Sequence, residues 1–124
     1  MSVRIRRIGD VVLMELEGEI TLSGGGMPRA LGLQGNRPED IRGALDGVLR
    51  DGHRKIILDL GRVSFLDSAG LGELVACKKR VVERGGDVKL LRPTGRVRDM
   101  LELVQLTKVL EIHQDEAQAI RSFA

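Results

Sequence analysis

Between Arg54 and Gly72 the chain reads RKIILDLGRVSFLDSAGLG, and no other stretch limits the possible folds as much. Ile56-Ile57-Leu58-Asp59-Leu60 is a short apolar run of strand length without polar alternation. A strand of that kind is covered on both faces and belongs near the centre of a parallel sheet. Gly61-Arg62 break the run, and Val63 to Leu66 lead into Asp67-Ser68-Ala69-Gly70-Leu71-Gly72. Leu71, Leu74, Val75, Val81 and Val82 then fall largely on one helical face through Glu83. Either Asp67 or Ser68 suits the N-cap, where a side-chain oxygen accepts from a backbone N–H that the helix leaves unpaired. Gly70 and Gly72 in the first turn each cost about 1 kcal/mol relative to alanine. They make sense where another backbone or a partner approaches closely. A serine hydroxyl thus stands at the positive end of a helix, in a sterically open place, and marks a candidate site.

The rest of the chain supplies the other elements. Val3–Ile8 and Val11–Glu17 read as strands of a hairpin around Gly9-Asp10, a loop of the length and composition hairpins favour. In the second strand Val12, Met14 and Leu16 face one way, and Val11, Leu13, Glu15 and Glu17 the other, so one face is only partly covered. From residue 22 to 37 periodicity disappears among Gly24-Gly25-Gly26, Pro28, Gly32 and Gly35, leaving a surface loop that is either disordered or functional. Pro38 opens a helix carrying Ile41, Ala44, Leu45, Val48 and Leu49, which Asp51-Gly52 stop. After the central strand and its helix come a strand at Val88–Leu91, a helix capped by Thr94 with Val97, Met100 or Leu101, and Val104 inward, and a strand at Val109–Ile112. A last helix follows Asp115, which with Gln118 resembles a capping box, and carries Ala119, Ile120 and Phe123. The order β-β-α-β-α-β-α-β-α predicts one α/β domain over residues 1–124: a mixed, mainly parallel sheet of about five strands with about four helices. The loop after Thr21 and Ser68 should emerge at the same edge, where open α/β sheets carry their sites.

Composition narrows the function. Aromatic residues are 2% of the chain, with no Trp or Tyr, which argues against the base-stacking platforms of single-stranded nucleic-acid binders. A net charge of +2 with interspersed signs does not call for a polyanionic partner. The cluster Arg4, Arg6 and Arg7 reads as a solvated strand edge. Cys77 is the only cysteine, so neither an intrachain disulfide nor metal-ligand spacing is available, and a small buried role suits it. No apolar run approaches membrane-spanning length and the N-terminus lacks a signal-peptide core, so the expected location is cytoplasmic. His53 and His113 are isolated and read as surface residues. No Ser-His-Asp triad, carboxylate pair, nucleophile elbow or P-loop occurs; no enzyme activity, cofactor or metal is expected, and a hydrolase using Ser68 would lack a base.

The string Asp67-Ser68-Ala69-Gly70-Leu71-Gly72, after a strand ending Asp59-Leu60 and the Phe65-Leu66 pair, resembles the STAS family, whose members include bacterial anti-sigma factor antagonists. The likeness is strongest from residue 54 to 112. It implies the fold already read from periodicity, and it implies that Ser68 is phosphorylated by a partner kinase. Unphosphorylated, the protein would capture an ATP-bound anti-sigma factor serine kinase and free a sigma factor; a phosphatase would reset it. Residues 67 to 72 and Thr21 would meet the partner, with Asp59 and Asp67 shaping the switch loop. Many antagonists have an acidic residue where Thr21 stands in Gly18-Glu19-Ile20-Thr21, and the threonine implies that docking of the kinase or its metal–nucleotide differs here. Residues 22–37 look like an insertion. The alternative within the family is a scaffold of a signalling assembly or a cytoplasmic subunit of a lipid transporter. Neither nucleic-acid binding nor membrane insertion is implied.

Overall fold

The computed structural model describes residues 3–21, 35–36 and 38–123. Strands β1 (Val3–Ile8) and β2 (Val11–Ile20) form the hairpin, turned by Gly9 at φ 61°. β3 (Gly35–Asn36) is followed by α1 (Pro38–Arg50), β4 (Lys55–Leu66), α2 (Ser68–Glu83), β5 (Asp87–Leu91), α3 (Gly95–Leu103), β6 (Glu111–His113) and α4 (Glu116–Arg121). The sheet runs β1-β2-β4-β5-β6, antiparallel only between β1 and β2. This is the mixed α/β sheet the sequence implies, with the apolar run at its centre. The expected insertion at 22–37 lies outside the described residues except for β3, which pairs parallel with Glu19–Ile20 beyond the end of β1.

Ile56, Leu58 and Leu60 join α1, α2 and α3 in the larger core, while Ile57, Val11, Leu13 and Leu91 pack with α4 on the opposite face. All five residues from Ile56 to Leu60 are buried. β2 is covered on both faces only from Val11 to Met14; Glu15 is half-buried and Glu17 exposed.

Several boundaries differ from expectation, each for a local reason. Gly61-Arg62 do not end β4. The register with β2 shifts there, Asp59 facing Glu15 and Arg62 facing Glu17, so β4 carries an extra residue as a bulge. Asp59 holds it, its Oδ1 accepting from Gly61 N at 2.9 Å. β5 pairs with β4 only as far as Asp59, and the remainder of β4 has β2 as its one partner among the described strands. α3 covers that extension, where Thr94 donates its hydroxyl to Val63 O at 3.2 Å. Thr94 thus holds the N-cap position of α3 without capping through its side chain. Val104 and Val109 are exposed, outside helix and strand, because α3 stops at Leu103 and a single 3-10 turn (Leu106–Lys108) intervenes. Val82 is likewise exposed; the buried face of α2 is Gly70, Glu73, Leu74, Cys77 and Val81.

Two close approaches fix α2 at its ends. At the C-terminus Gly85 takes φ 87°, Gly86 N donates to Val81 O at 2.9 Å and Gly85 N to Val82 O at 3.0 Å, a complete Schellman cap. A Cβ at Gly86 would lie 2.1 Å from Arg54 O. At the N-terminus Asp67 N donates to Ile20 O at 3.3 Å, and a Cβ at Gly70 would lie 2.2 Å from that same oxygen.

Neither glycine has room for a methyl group, so Gly86→Ala and Gly70→Ala should each destabilise the fold by about 1–3 kcal/mol, the usual cost of overpacking; urea denaturation measures it. On the α4 face, hydrogen bonds from Lys89 and then His113 hold the Glu111 carboxyl at about 2, below its ordinary 4.5. A depressed carboxyl stabilises the fold above its unfolded value, and that contribution is lost as pH falls through the folded one. Glu111→Gln should therefore lose less stability than the wild type between pH 4.5 and 2, by a small margin because Glu111 is half exposed. Melting curves across that range test this.

Candidate functional site: the start of the second helix

β4 delivers the chain to the carboxyl edge of the sheet, and α2 begins there without an intervening loop. Asp67 is the residue that turns one into the other. It is extended (φ −92°, ψ −176°) and its Oδ1 accepts from Gly70 N at 2.8 Å. Of the two N-cap candidates the structure selects Asp67. Ser68 is the first helical residue, exposed, and its hydroxyl makes no hydrogen bond to a described residue. With the cap supplied next door, the hydroxyl is free for chemistry at the positive end of a helix whose first turn has no acidic residue.

The glycines divide the first turn into two sides. Gly70 is buried against Ile20, so its small size serves the chain's own packing. Gly72 is exposed, and a Cβ there would meet nothing within 4 Å. Nothing in the described fold demands glycine at position 72. Ser68, Gly72, Val75 and Lys79 follow one another at helical spacing along one flank, and all but half-buried Val75 are exposed. Ala69 and Leu71 are half-buried, Leu71 packing on the core. Thr21 follows Ile20 and is 7% exposed. Because Ile20 O receives the Asp67 amide, the end of β2 and the serine share a neighbourhood, while the start of the expected insertion lies outside the described residues.

Asp59 belongs elsewhere. Its partners are Gly61 N and the Arg92 guanidinium, at 2.8 Å, and it points to the α4 face with Ile57 rather than toward the start of α2. His113 is not a bystander either: it is half-buried, its ring meets Glu111 at 2.8 Å and its carbonyl accepts from Arg92 N.

Sequence reasoning missed the buried carboxylate behind the serine. Glu73, with 1% of its side chain exposed, takes a 2.7 Å hydrogen bond from Arg42 of α1. Its other oxygen accepts from the Cys77 thiol at 3.6 Å. Arg80 of α2 adds a 2.7 Å pair with Asp46 of α1. A buried charge needs a partner of this kind, and the pairs lock α2 to α1. The detectable signal was Glu73 lying on the same stripe as Gly70, Leu74 and Cys77. Burial, reinforced by Glu73, pushes the Cys77 thiol far above its ordinary range, which removes it as a nucleophile.

The STAS domain family model matches residues 33–119. A Thermotoga neapolitana protein provisionally named an anti-sigma factor antagonist is 33% identical over 75 residues, 60% of this chain and 66% of that protein. This match spans just under two thirds of the relative's length. The crystal structure of a Thermotoga maritima protein with the same provisional name superposes at a TM-score of 0.81 with 23% identity, over 98% of this chain and 93% of the other. The anti-sigma factor antagonist SpoIIAA in its unphosphorylated form superposes at 0.67 with 21% identity, over 97% and 96%, and it has also been solved phosphorylated. At those identities the superpositions establish the fold. With a family match covering most of its length, the chain belongs to the STAS domain family.

Proposed function

We propose that the protein is an anti-sigma factor antagonist whose unphosphorylated Ser68 face binds an anti-sigma factor serine kinase. Phosphorylation of Ser68 ends the binding, and a phosphatase restores it. The observation that carries this reading is the exposed Ser68 hydroxyl, left without a capping task because Asp67 performs it. Relatives named as antagonists, and one solved both with and without phosphate, support it. The chemistry is suitable. A phosphate adds a charge of about −1.5 to −2, which a helix N-terminus accommodates without loss of the fold. The same charge, brought beside Asp67 at a close interface, opposes a partner that fits the uncharged surface. Gly72 extends the argument, since a position without internal contacts leaves space for a partner's approach.

Incubation with the cognate kinase and ATP, followed by intact mass and peptide mapping, should add one phosphate at Ser68; a different acceptor residue would refute the assignment. Binding supplies a second test. Ser68→Asp should weaken the complex by roughly 30-fold, equivalent to about 2 kcal/mol, while Ser68→Ala binds like the wild type. Because Asp67 is the cap, both variants should keep wild-type melting temperatures. Gly72→Ala should raise stability by about 0.5–1 kcal/mol through helix propensity and yet weaken the complex. Equal binding by all three variants would leave the exposed flank without a partner role.

A further inference from the structure

On the α4 face, away from Ser68, the β4 bulge opens a cleft of about 480 Å³ lined by Glu15, Leu16, Asp59, Arg62, Arg92 and Gln114, with Gly61 at the bulge itself. Its size falls within the range of small-molecule sites, about 300–1,000 Å³.

Three features distinguish it from an ordinary surface dent. First, Arg92 has φ 50°, a left-handed conformation that a non-glycine residue rarely adopts, and it precedes Pro93, which restricts it further. The strain is held by Arg92 N donating to His113 O at 2.8 Å and by the guanidinium's bond to Asp59. Second, Gly61 keeps the space clear. A Cβ there would meet Asp59 Oδ1 at 3.1 Å and the Arg92 side chain at 3.7 Å. Third, two arginines, Arg62 and Arg92, stand in the lining beside the carboxylates of Asp59 and Glu15. Asp59 is bonded to Arg92, and Glu15 lies 3.5 Å from Arg6, which bonds Glu116 more closely at 2.6 Å. Arg62 is exposed and has no hydrogen-bond or ion-pair partner among the described residues. A guanidinium presents five N–H donors; all those of Arg62, and those Arg92 does not give to Asp59, remain available beside the Gln114 amide.

We infer that this cleft binds a small organic or inorganic anion bearing a carboxylate or phosphate group, held between Arg62 and Arg92. Planar, bidentate recognition of such groups is the chemistry for which arginine is suited. The site is independent of the serine face: it uses none of residues 67 to 72.

The test is an amide NMR titration with citrate and, separately, inorganic phosphate, at ionic strength held constant with sodium chloride. Saturable shifts at Gly61, Arg62, Arg92 and Gln114 are expected with at least one probe, and the two arms separate carboxylate from phosphate. Arg62→Gln, whose side chain holds nothing in the fold, should weaken that binding at least tenfold. Arg4→Gln, an exposed arginine outside the cleft, should not change it, and neither should Ser68→Asp, so the result stands whether or not Ser68 is a switch. Failure of both probes to saturate, shifts scattered over the surface arginines, or unchanged affinity in Arg62→Gln would each overturn the proposal.

Discussion

The carbonyl of Ile20 is the point on which the site depends. It receives the Asp67 amide, and it lies where any side chain at residue 70 would have to go. One backbone oxygen at the end of β2 therefore sets how closely α2 can dock. Asp67 completes the junction from the other side by capping Gly70 N. A chain bonded on both sides of Ser68, at Asp67 and at Gly70, cannot shift the serine without breaking one of those bonds. Such preorganisation would spare the proposed partner complex an ordering cost on binding.

Behind that surface α2 is held by charge as much as by apolar packing. Glu73 is buried, and both its oxygens are occupied, by Arg42 and Cys77. Buried pairs of this kind add little net stability compared with apolar residues but penalise misalignment strongly. Their effect is to fix the rotation of α2, so that Ser68 and Gly72 face outward while Gly70 and Leu74 face the core. The Arg54 guanidinium does similar work at the opposite edge of the sheet, donating to Leu49 O, His53 O and Arg84 O near the ends of α1 and α2.

Much of this was legible in the residues. The unalternating run at 56–60 marked the central strand because burial on both faces removes the need for polar positions. Gly9 marked the hairpin and Gly85-Gly86 the end of α2, since each serves a backbone conformation or approach that side chains obstruct. The misreadings share a cause: a local signal was overridden by a distant partner. Gly61 looked like a strand end, but a bulge absorbs it because Asp59 supplies the missing acceptor. Val82 matched the helical stripe, yet buried Glu73 shifts that stripe, and only Arg42, remote in sequence, makes this possible. Arg92 gave no sign at all, because a left-handed arginine before a proline contradicts local preference and exists only through contacts to β4 and β6.

The unequal length of the strands has a mechanical consequence. Up to Asp59, β4 is clamped between β2 and β5; past the bulge β2 is its one neighbour among the described strands, edged in turn by β3 at Glu19–Ile20, and α3 braces the extension through Thr94. Ser68 rides at the tip of this extension. A load at the tip would pass through the β2 ladder, the Asp67–Ile20 bond and the α3 contact before it reached the clamped half of the strand. The junction that carries Ser68 is thus anchored to β2 at its tip and to two strands at its root.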